Sequence, residues 1–481
     1  MKKIIDVIDT FGEHQWEEFI GGEFGKTIPS KSQPSSVAAI INWAATESKA
    51  PILMLGQEVH IWNGKFYDKG RTYDVIEKAC EVLKIPKVSA IDPDFTKNVE
   101  KCLTMAIDRY SLDLNFNPRG INFQDGFLEM TQTEANFHQG HDTNNVFTYC
   151  LPFAYNGGRK ESKVWSRFIE QIVPDKGMRD YVLASFANAV ACDPMKAQRM
   201  MLLMGVGASG KSTLIDALVE VIGKKNACRV DDLRNLTKDE SRFRIDLASN
   251  ILCICGDASG DIGNKDVLKQ IVSKEEIAGR RLYREVEYFT PRASLLVASN
   301  EIGFTHALGD SGISRRIDII QFNNPVAEKD RDPFIGEKLA APNEQREMVL
   351  DMIGALIAMQ NEFGKMVRPE ALDDTLNDLR YDGDAFLSFL GNSGLDIASS
   401  ESEGDNIEWI HQERLYRAFV MHSSESGTRT SSMRHMKGKC AAFGVEKDSA
   451  GQRKHRFKFQ VVDREAYDKA MLVLNVNNLK K

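Results

Sequence analysis

At 481 residues the chain is longer than one ordinary domain, and two to four domains are expected. Hydrophobic residues at 42% and charged residues at 27% describe a soluble globular protein, and no apolar run reaches the roughly eighteen residues of a membrane span. The net charge of −7 excludes a surface that is basic everywhere, though not a local basic channel or patch.

Acids interrupt the apolar N-terminus, Met-Lys-Lys-Ile-Ile-Asp-Val-Ile-Asp, so it does not read as a secretion signal, and a cytoplasmic setting is expected. Eight scattered cysteines without a C-x-x-C pair argue against a zinc site and agree with free thiols in a reducing compartment. Ser30 to Ser36 reads as a loop, Val37 to Ala45 as a helix, and Val59 to Tyr67 as a hairpin turning at Asn63-Gly64. Thr72 to Leu83 is helical in pattern. Asp92-Pro93-Asp94 spaces two carboxylates as a metal site would, but the proline and the missing partner acid favour a surface turn. Asn98 to Tyr110 reads as a helix, and Asn115 to Met130 as two short strands about a turn. His138 and His141 fall in a polar stretch without partner ligands and read as solvated loop residues. Trp165 to Val173 and Met178 to Cys192 read as amphipathic helices.

The most informative stretch follows. Gly205-Val206-Gly207-Ala208-Ser209-Gly210-Lys211-Ser212-Thr213 fits G-x-x-x-x-G-K-[ST]. An apolar strand, Met200 to Met204, precedes it, and a helix with a broad apolar face follows. In that context the loop amides would face phosphate oxygens and the helix N-terminus would favour negative charge. Lys211 would reach the outer phosphates of ATP and Ser212 would hold Mg²⁺. The competing reading is a glycine-rich turn that binds nothing. Asn250 to Gly256 is a buried strand ending at Asp257, the expected second Mg²⁺ contact. The next residue is Ala258, so the acid that orients an attacking water is not evident, with Asp261 the nearby candidate. A further strand, Ala293 to Ser299, ends at Asn300; in ring-forming NTPases a polar residue here hydrogen-bonds the attacking water or the γ-phosphate, and the competing reading is a strand-terminating turn. Arg315 and Arg316 precede the strand Ile317 to Phe322, where an arginine can complete a neighbouring subunit's site, or else form a solvated surface pair. Between the Asp257 and Asn300 strands, Val267 to Arg292 carries Lys269, Lys274, Arg280, Arg281 and Arg284. A hairpin here could meet a sugar-phosphate backbone, or be a surface hairpin balanced by its glutamates.

The order Gly205-x-x-x-x-Gly210-Lys211-Ser212, Asp257, Leu268-Lys269-Gln270 with Arg280-Arg281-Leu282-Tyr283, Phe289-x-Pro291, Asn300 and Arg316 resembles superfamily 3 helicases. The closest likeness is to the poxvirus and phage primase-helicase branch, and Val59 to Cys192, notably Trp62-Asn-Gly-Lys-Phe, resembles the region before its helicase core. Two departures stand out: the family's usual strand-end Glu is Asp257, and no primase domain precedes the helicase part. The resemblance implies an α/β fold with an AAA+-like P-loop NTPase core, ATP and Mg²⁺ as cofactors, and a homohexameric ring translocating 3′ to 5′ on single-stranded or forked DNA. It also implies a separate primase or polymerase as partner, in the replication of a phage, plasmid or mobile element. On that basis Arg316 acts across the subunit boundary with Arg315 in reserve.

Residues 326 to 375 read as helices and Ser393 to Asn406 as a Ser-, Gly- and acid-rich linker. Ile410 to Ser423 and Ser431 to Phe443 read as helices, the second carrying Arg434, His435, Lys437 and Lys439. Ala450 to Val462 reads as a basic hairpin with Arg453, Lys454 and Arg456. Helix, helix and basic hairpin suggest a winged-helix-like DNA-binding module, or else a partner-docking module. The expected divisions are 1–97 of unknown role, 98–192 a helical collar, 193–325 the helicase core, 326–392 a helical extension and 407–481 the DNA-binding module. An origin remodeller or helicase loader, and a DNA-binding replication-control protein with a weak NTPase, are the alternatives.

Overall fold

The structure is a computed structural model. It describes all residues except 1–3, 12–32, 50–51, 56–57, 70–71, 87–91, 108–113, 117, 132–133, 157, 159–161, 240, 282–285, 361–364, 384, 399–403, 426–432, 434–435, 438–439, 441–444, 446, 449–455 and 477–481. The chain divides into two compact units, one of residues 1–303 and 315–370, the other of 304–314 and 371–481. The second unit therefore begins inside the stretch expected as a helical extension and borrows a short segment from before Arg315.

The first unit opens with α1 (Ile4–Ile8) and α2 (Pro34–Ser48). Helix α2 begins inside the stretch expected as a loop, Ser30 to Ser36, because Pro34 sits at the first helical position, where its fixed φ and missing N–H cost nothing. Strands β1 (Leu53–Leu55), β2 (Glu58–Trp62) and β3 (Tyr67–Asp68) form an antiparallel sheet. The β2–β3 turn is the Asn63-Gly64 turn: Gly64 has φ +103°, and Asn63 Oδ1 accepts from the amides of Lys65 and Phe66 at 3.0 and 3.1 Å. Helices α3 (Thr72–Val82) and α4 (Pro93–Ile107) pack with α1 and α2 around a core that includes Ile41, Ile61 and Val99. Asp92 is the turn before α4, its Oδ1 accepting from Asp94 N at 3.0 Å.

Strands β4 (Gly120–Phe123) and β5 (Gly126–Met130) form the expected pair, and β6 (Ala135–Gln139) adds a third antiparallel strand that the sequence reading missed. His138 is therefore on a strand rather than in a loop; its ring stacks on Phe127 at 4.7 Å and its Nε2 lies 2.9 Å from Glu129 Oε2. His141 Nε2 lies 2.9 Å from the Phe123 carbonyl. Both histidines are occupied by these contacts. Helix α5 (Lys163–Ile172) is amphipathic, burying Trp165, Phe168, Ile169 and Ile172. Helix α6 (Lys176–Val190) is not: every residue from Tyr181 to Val190 is buried, so it is a core helix, packed against α9 (Pro342–Ala358).

The centre of the unit is a five-stranded parallel sheet. Its strands are β7 (Met200–Met204), β8 (Ala227–Val230), β9 (Leu252–Cys255), β12 (Ser294–Ser299) and β13 (Ile317–Gln321), in the order β13-β7-β12-β9-β8. The near-continuous apolar character of β7, β9 and β12, the three inner strands, follows from burial on both faces. Helix α7 (Lys211–Ile222) follows β7, and α8 (Lys265–Val272) precedes a two-stranded hairpin of β10 (Ile277–Gly279) and β11 (Glu287–Phe289). The stretch from Val267 is thus helix first and hairpin second.

The second unit contains α10 (Ala371–Gly383), α11 (Ala385–Asn392), β14 (Leu395–Ile397), β15 (Ile407–His411), α12 (Gln412–Glu425), β16 (Lys447–Asp448), β17 (Arg456–Val461) and α13 (Arg464–Val476). Strand β17 pairs antiparallel with β14, β15 and β16. Two expectations are corrected here. Ile410 and His411 are strand, the helix starting at Gln412, because Ile410 fills the sheet's inner face beside Phe457. The Ser393 to Asn406 linker contains β14, whose Leu395 joins the same core. Of the helix expected over Ser431 to Phe443, the described residues Met433, Met436, Lys437 and Cys440 are helical; the tip of the basic hairpin lies outside the described residues.

Candidate functional site

Five parallel strands deliver their C-terminal ends to one edge of the sheet, and the glycine-rich loop leaves that edge from β7, between β13 and β12. Its backbone can follow only a narrow path. A Cβ on Gly205 would lie 2.2 Å from Phe322 O, and one on Gly210, at φ +86°, would lie 2.5 Å from Ile172 Cγ2. Ala208 adopts φ +61°. Inside the loop Lys211 is 7% exposed, and its ammonium donates to Gly205 O at 2.7 Å and Val206 O at 2.9 Å. Ser209 Oγ and Asn300 Oδ1 lie 3.2 and 3.3 Å from the same nitrogen. Burial lowers the pKa of this ammonium. Ser212, one position along α7, is exposed.

Asp257 follows β9 at the same edge. Its Oδ1 accepts from the amides of Ala258 at 2.8 Å and Ser259 at 3.0 Å and from Ser299 Oγ at 2.9 Å. Its Oδ2 accepts from the Ser259 hydroxyl. The Ser259 hydroxyl above all, then Ser299 and the two amides, hold the carboxyl below the ordinary aspartate range. Asn300, at the end of β12, is exposed, as is Asp261. Gly205 N donates to Ser299 O at 3.2 Å. Ser299 therefore joins three strand ends: its carbonyl touches the glycine loop, its hydroxyl the carboxylate, and its successor Asn300 the lysine.

The sequence reading missed Ser299, because a hydroxyl as the last residue of an apolar strand carries no signal of its own. It also missed Asp231 and Asp232. They follow β8, which pairs in parallel with β9, so they emerge beside Asp257. A short strand closed by two acids was the available signal.

The two arginines part company. Arg315 is exposed, whereas Arg316 is 9% exposed and its Nε donates to Ser273 Oγ at 2.8 Å. Arg316 is thus an internal tie to the turn after α8, not a side chain held out toward a neighbour. Lys274 is corrected as a nucleic-acid contact. Its ammonium turns inward onto Ala293 O at 2.8 Å and Arg292 O, and burial pushes its pKa down to about 8. Arg281 is engaged by Asp246 at 3.0 Å and Glu58 at 3.2 Å, and Lys269 by Asp266 at 3.3 Å. Arg280 and Arg456 are exposed and Lys437 half-exposed. Arg284, Arg434, Lys439, Arg453 and Lys454 lie outside the described residues. Among the described residues, no group of three or more His, Cys, Asp or Glu gathers as metal ligands, and no helix is long and apolar enough to cross a membrane.

Comparison with known proteins adds two family matches. Residues 49–174 match the family described as D5 N terminal like, and residues 203–316 match a family of unknown function, DUF5906. A protein of Acanthamoeba polyphaga mimivirus named "Putative helicase" is 27% identical over 263 residues, covering 51% of this chain and 26% of that protein. A protein of African swine fever virus named "Putative primase" is 22% identical over 409 residues, covering 76% of this chain and 40% of that protein. The chain thus spans well under half the length of either relative. Two apo structures of the NrS-1 C terminal region are similar at TM-scores of 0.42 and 0.44, with 13% and 12% identity. The first covers 68% of this chain and 81% of its own, the second 90% and 100%. The chain is thus similar over residues 49–174 to the D5 N terminal like family, and over longer stretches to viral proteins named helicase and primase.

Proposed function

We propose that the chain is the motor of an ATP-dependent DNA helicase, with an AAA+-like core that assembles as a ring, hexameric by resemblance, and moves along single-stranded DNA in replication. The observation that carries this reading is the convergence at Ser299. Lys211, Asp257 and Asn300 come from three separate segments, yet they meet at the C-terminal edge of one parallel sheet. The glycine loop there lies between β12 and β13, strands reached by connections of very different length. Ligands of open parallel sheets bind at such an edge.

Lys211 neutralises the outer phosphates and the amides of Gly205 to Thr213 cradle the rest. Mg²⁺ fits the donors present: the exposed Ser212 hydroxyl and the Asp257 carboxylate are hard oxygen ligands, and the hydrogen bonds on Asp257 keep it ionised. Bound there, the ion would offset charge on the phosphate oxygens. Asn300 senses the γ-phosphate. Arg315 supplies the cation to the neighbouring subunit, since it is exposed and Arg316 is engaged by Ser273. The relatives' names, helicase and primase, support a place in replication, and the β10–β11 hairpin, with exposed Arg280, supports contact with a strand.

The test is ATP turnover with and without single-stranded DNA, beside unwinding of a forked duplex. Lys211→Ala should lower both by roughly 100-fold or more, as loss of a main transition-state charge contact does. Wild-type turnover in that variant would end the proposal.

A further inference from the structure

We propose that the outer face of the β14–β17–β15 sheet is a stacking platform for single-stranded DNA, with Trp409 the ring on which a base lies. The proposal extends the DNA-binding part of the reading above and rests on it. Antiparallel register sets Trp409 opposite Lys458 and His411 opposite Arg456, and directly opposed residues share a face. The alternate positions of the same strands, Ile410, Phe457 and Phe459, are at most 3% exposed and form the unit's core. Pleating therefore sends Trp409 away from the core. It is 36% exposed, while Trp62 and Trp165 are 2% and 0% exposed.

The face has the chemistry of sequence-tolerant single-strand recognition, an aromatic plane beside cations. Lys458, itself nearly buried, sits with its ammonium 5.9 Å from the Trp409 ring, a cation–π contact that steadies the indole. Arg456 is exposed and His411 half-exposed, two positions along the strands from the Trp409–Lys458 pair. That separation is about 7 Å, within reach of a phosphate next to a stacked base. By register Asp396 also shares this face, opposite Gln460, on the edge away from Trp409. A polyanion is thus steered along the β15 side, where the indole is. In a duplex each base is already stacked on both sides, so the platform selects unpaired strands.

The test uses the full chain without ATP and a labelled oligo(dT), read by fluorescence anisotropy, with a matched duplex beside it. Trp409→Leu should weaken oligo(dT) binding by about 5- to 100-fold, the usual effect of losing one base–aromatic stack. Trp409→Phe should keep most of it, and duplex binding should change little. Lys211→Ala should bind oligo(dT) as wild type does, so loss of the motor and loss of the platform are read separately. Because Trp409→Leu could disturb folding, a bromouracil oligonucleotide is also photo-crosslinked to wild-type protein, with the adduct expected in the peptide holding Trp409. Affinity of Trp409→Leu within twofold of wild type, or crosslinks only elsewhere, overturns the proposal. So does binding of oligo(U) more tightly than oligo(dT), which would make RNA the ligand.

Discussion

Substituting the first glycine of the loop tests whether its path is as constrained as the structure shows. In Gly205→Ala the new Cβ would stand 2.2 Å from Phe322 O and 2.7 Å from Phe322 C, both backbone atoms that no rotamer change can move. Ordinary contact requires about 1 Å more. Gly205 also has φ +152°, and holding a side chain in such a sparsely populated region costs about 1–3 kcal/mol. The displacement strains two hydrogen bonds, Gly205 N to Ser299 O at 3.2 Å and Phe322 N to Met204 O at 2.6 Å. Each contributes about 1 kcal/mol. The sum is a destabilisation of about 3–5 kcal/mol. Gly207 is the control: a Cβ there meets nothing within 4 Å, so Gly207→Ala should stay within about 0.5 kcal/mol of wild type. Denaturant unfolding of the two variants and wild type gives the comparison, with nucleotide binding as a second readout. If Gly205→Ala unfolds within 1 kcal/mol of wild type, or Gly207→Ala is equally costly, the account of the loop is wrong.

Three further outcomes are expected. Arg315→Ala should abolish ATP turnover while leaving stability nearly unchanged, whereas Arg316→Ala should lower the melting temperature; mixing Arg315→Ala with Lys211→Ala subunits should restore part of the turnover, and no restoration would argue against a shared site. His60, 1% exposed, is held by burial at a pKa of about 4, so the unfolded chain takes up a proton near pH 6.5 and the folded chain does not. Its share of stability is full above that pH and is lost as pH falls from 6.5 to 4, worth about 3 kcal/mol, and urea midpoints of His60→Leu should fall less steeply over that window than wild type. Asp318, itself 1% exposed, accepts from Tyr181 Oη at 2.5 Å, Arg199 at 3.0 Å and Arg368 at 2.8 Å, so Asp318→Ala removes an acceptor shared by three donors and should cost about 3–5 kcal/mol in the same assay.

How much of this the residues announced depended on the kind of signal. The strand–loop–helix around Lys211, and the strands ending at Asp257 and Asn300, were legible because fully buried parallel strands read as short unbroken apolar runs. The Asn63-Gly64 turn was legible because only a glycine sits easily at φ +103°. Strand β6 was not, since its residues Ala135 to Gln139 are mixed in burial and lie on a solvated edge, leaving no clean alternation. The helix expected from Ile410 failed because an apolar residue at the end of a strand continues the pattern of the helix that follows it. The inward turn of Lys274 and the Ser273–Arg316 tie are tertiary facts: a basic residue in a charged stretch looks the same whether it faces a strand of DNA or two backbone carbonyls.

The hydrogen bonds of Lys211 bear on how a nucleotide would be received. Its ammonium already satisfies the carbonyls of Gly205 and Val206, with Asn300 alongside. On the proposed reading an incoming triphosphate makes an exchange, not an addition: the cation lets go of the loop's own oxygens as it takes up the ligand's. Asn300, released by the same movement, then becomes available to the terminal phosphate. Occupancy at the loop and readiness at the end of β12 are in this way two sides of one event.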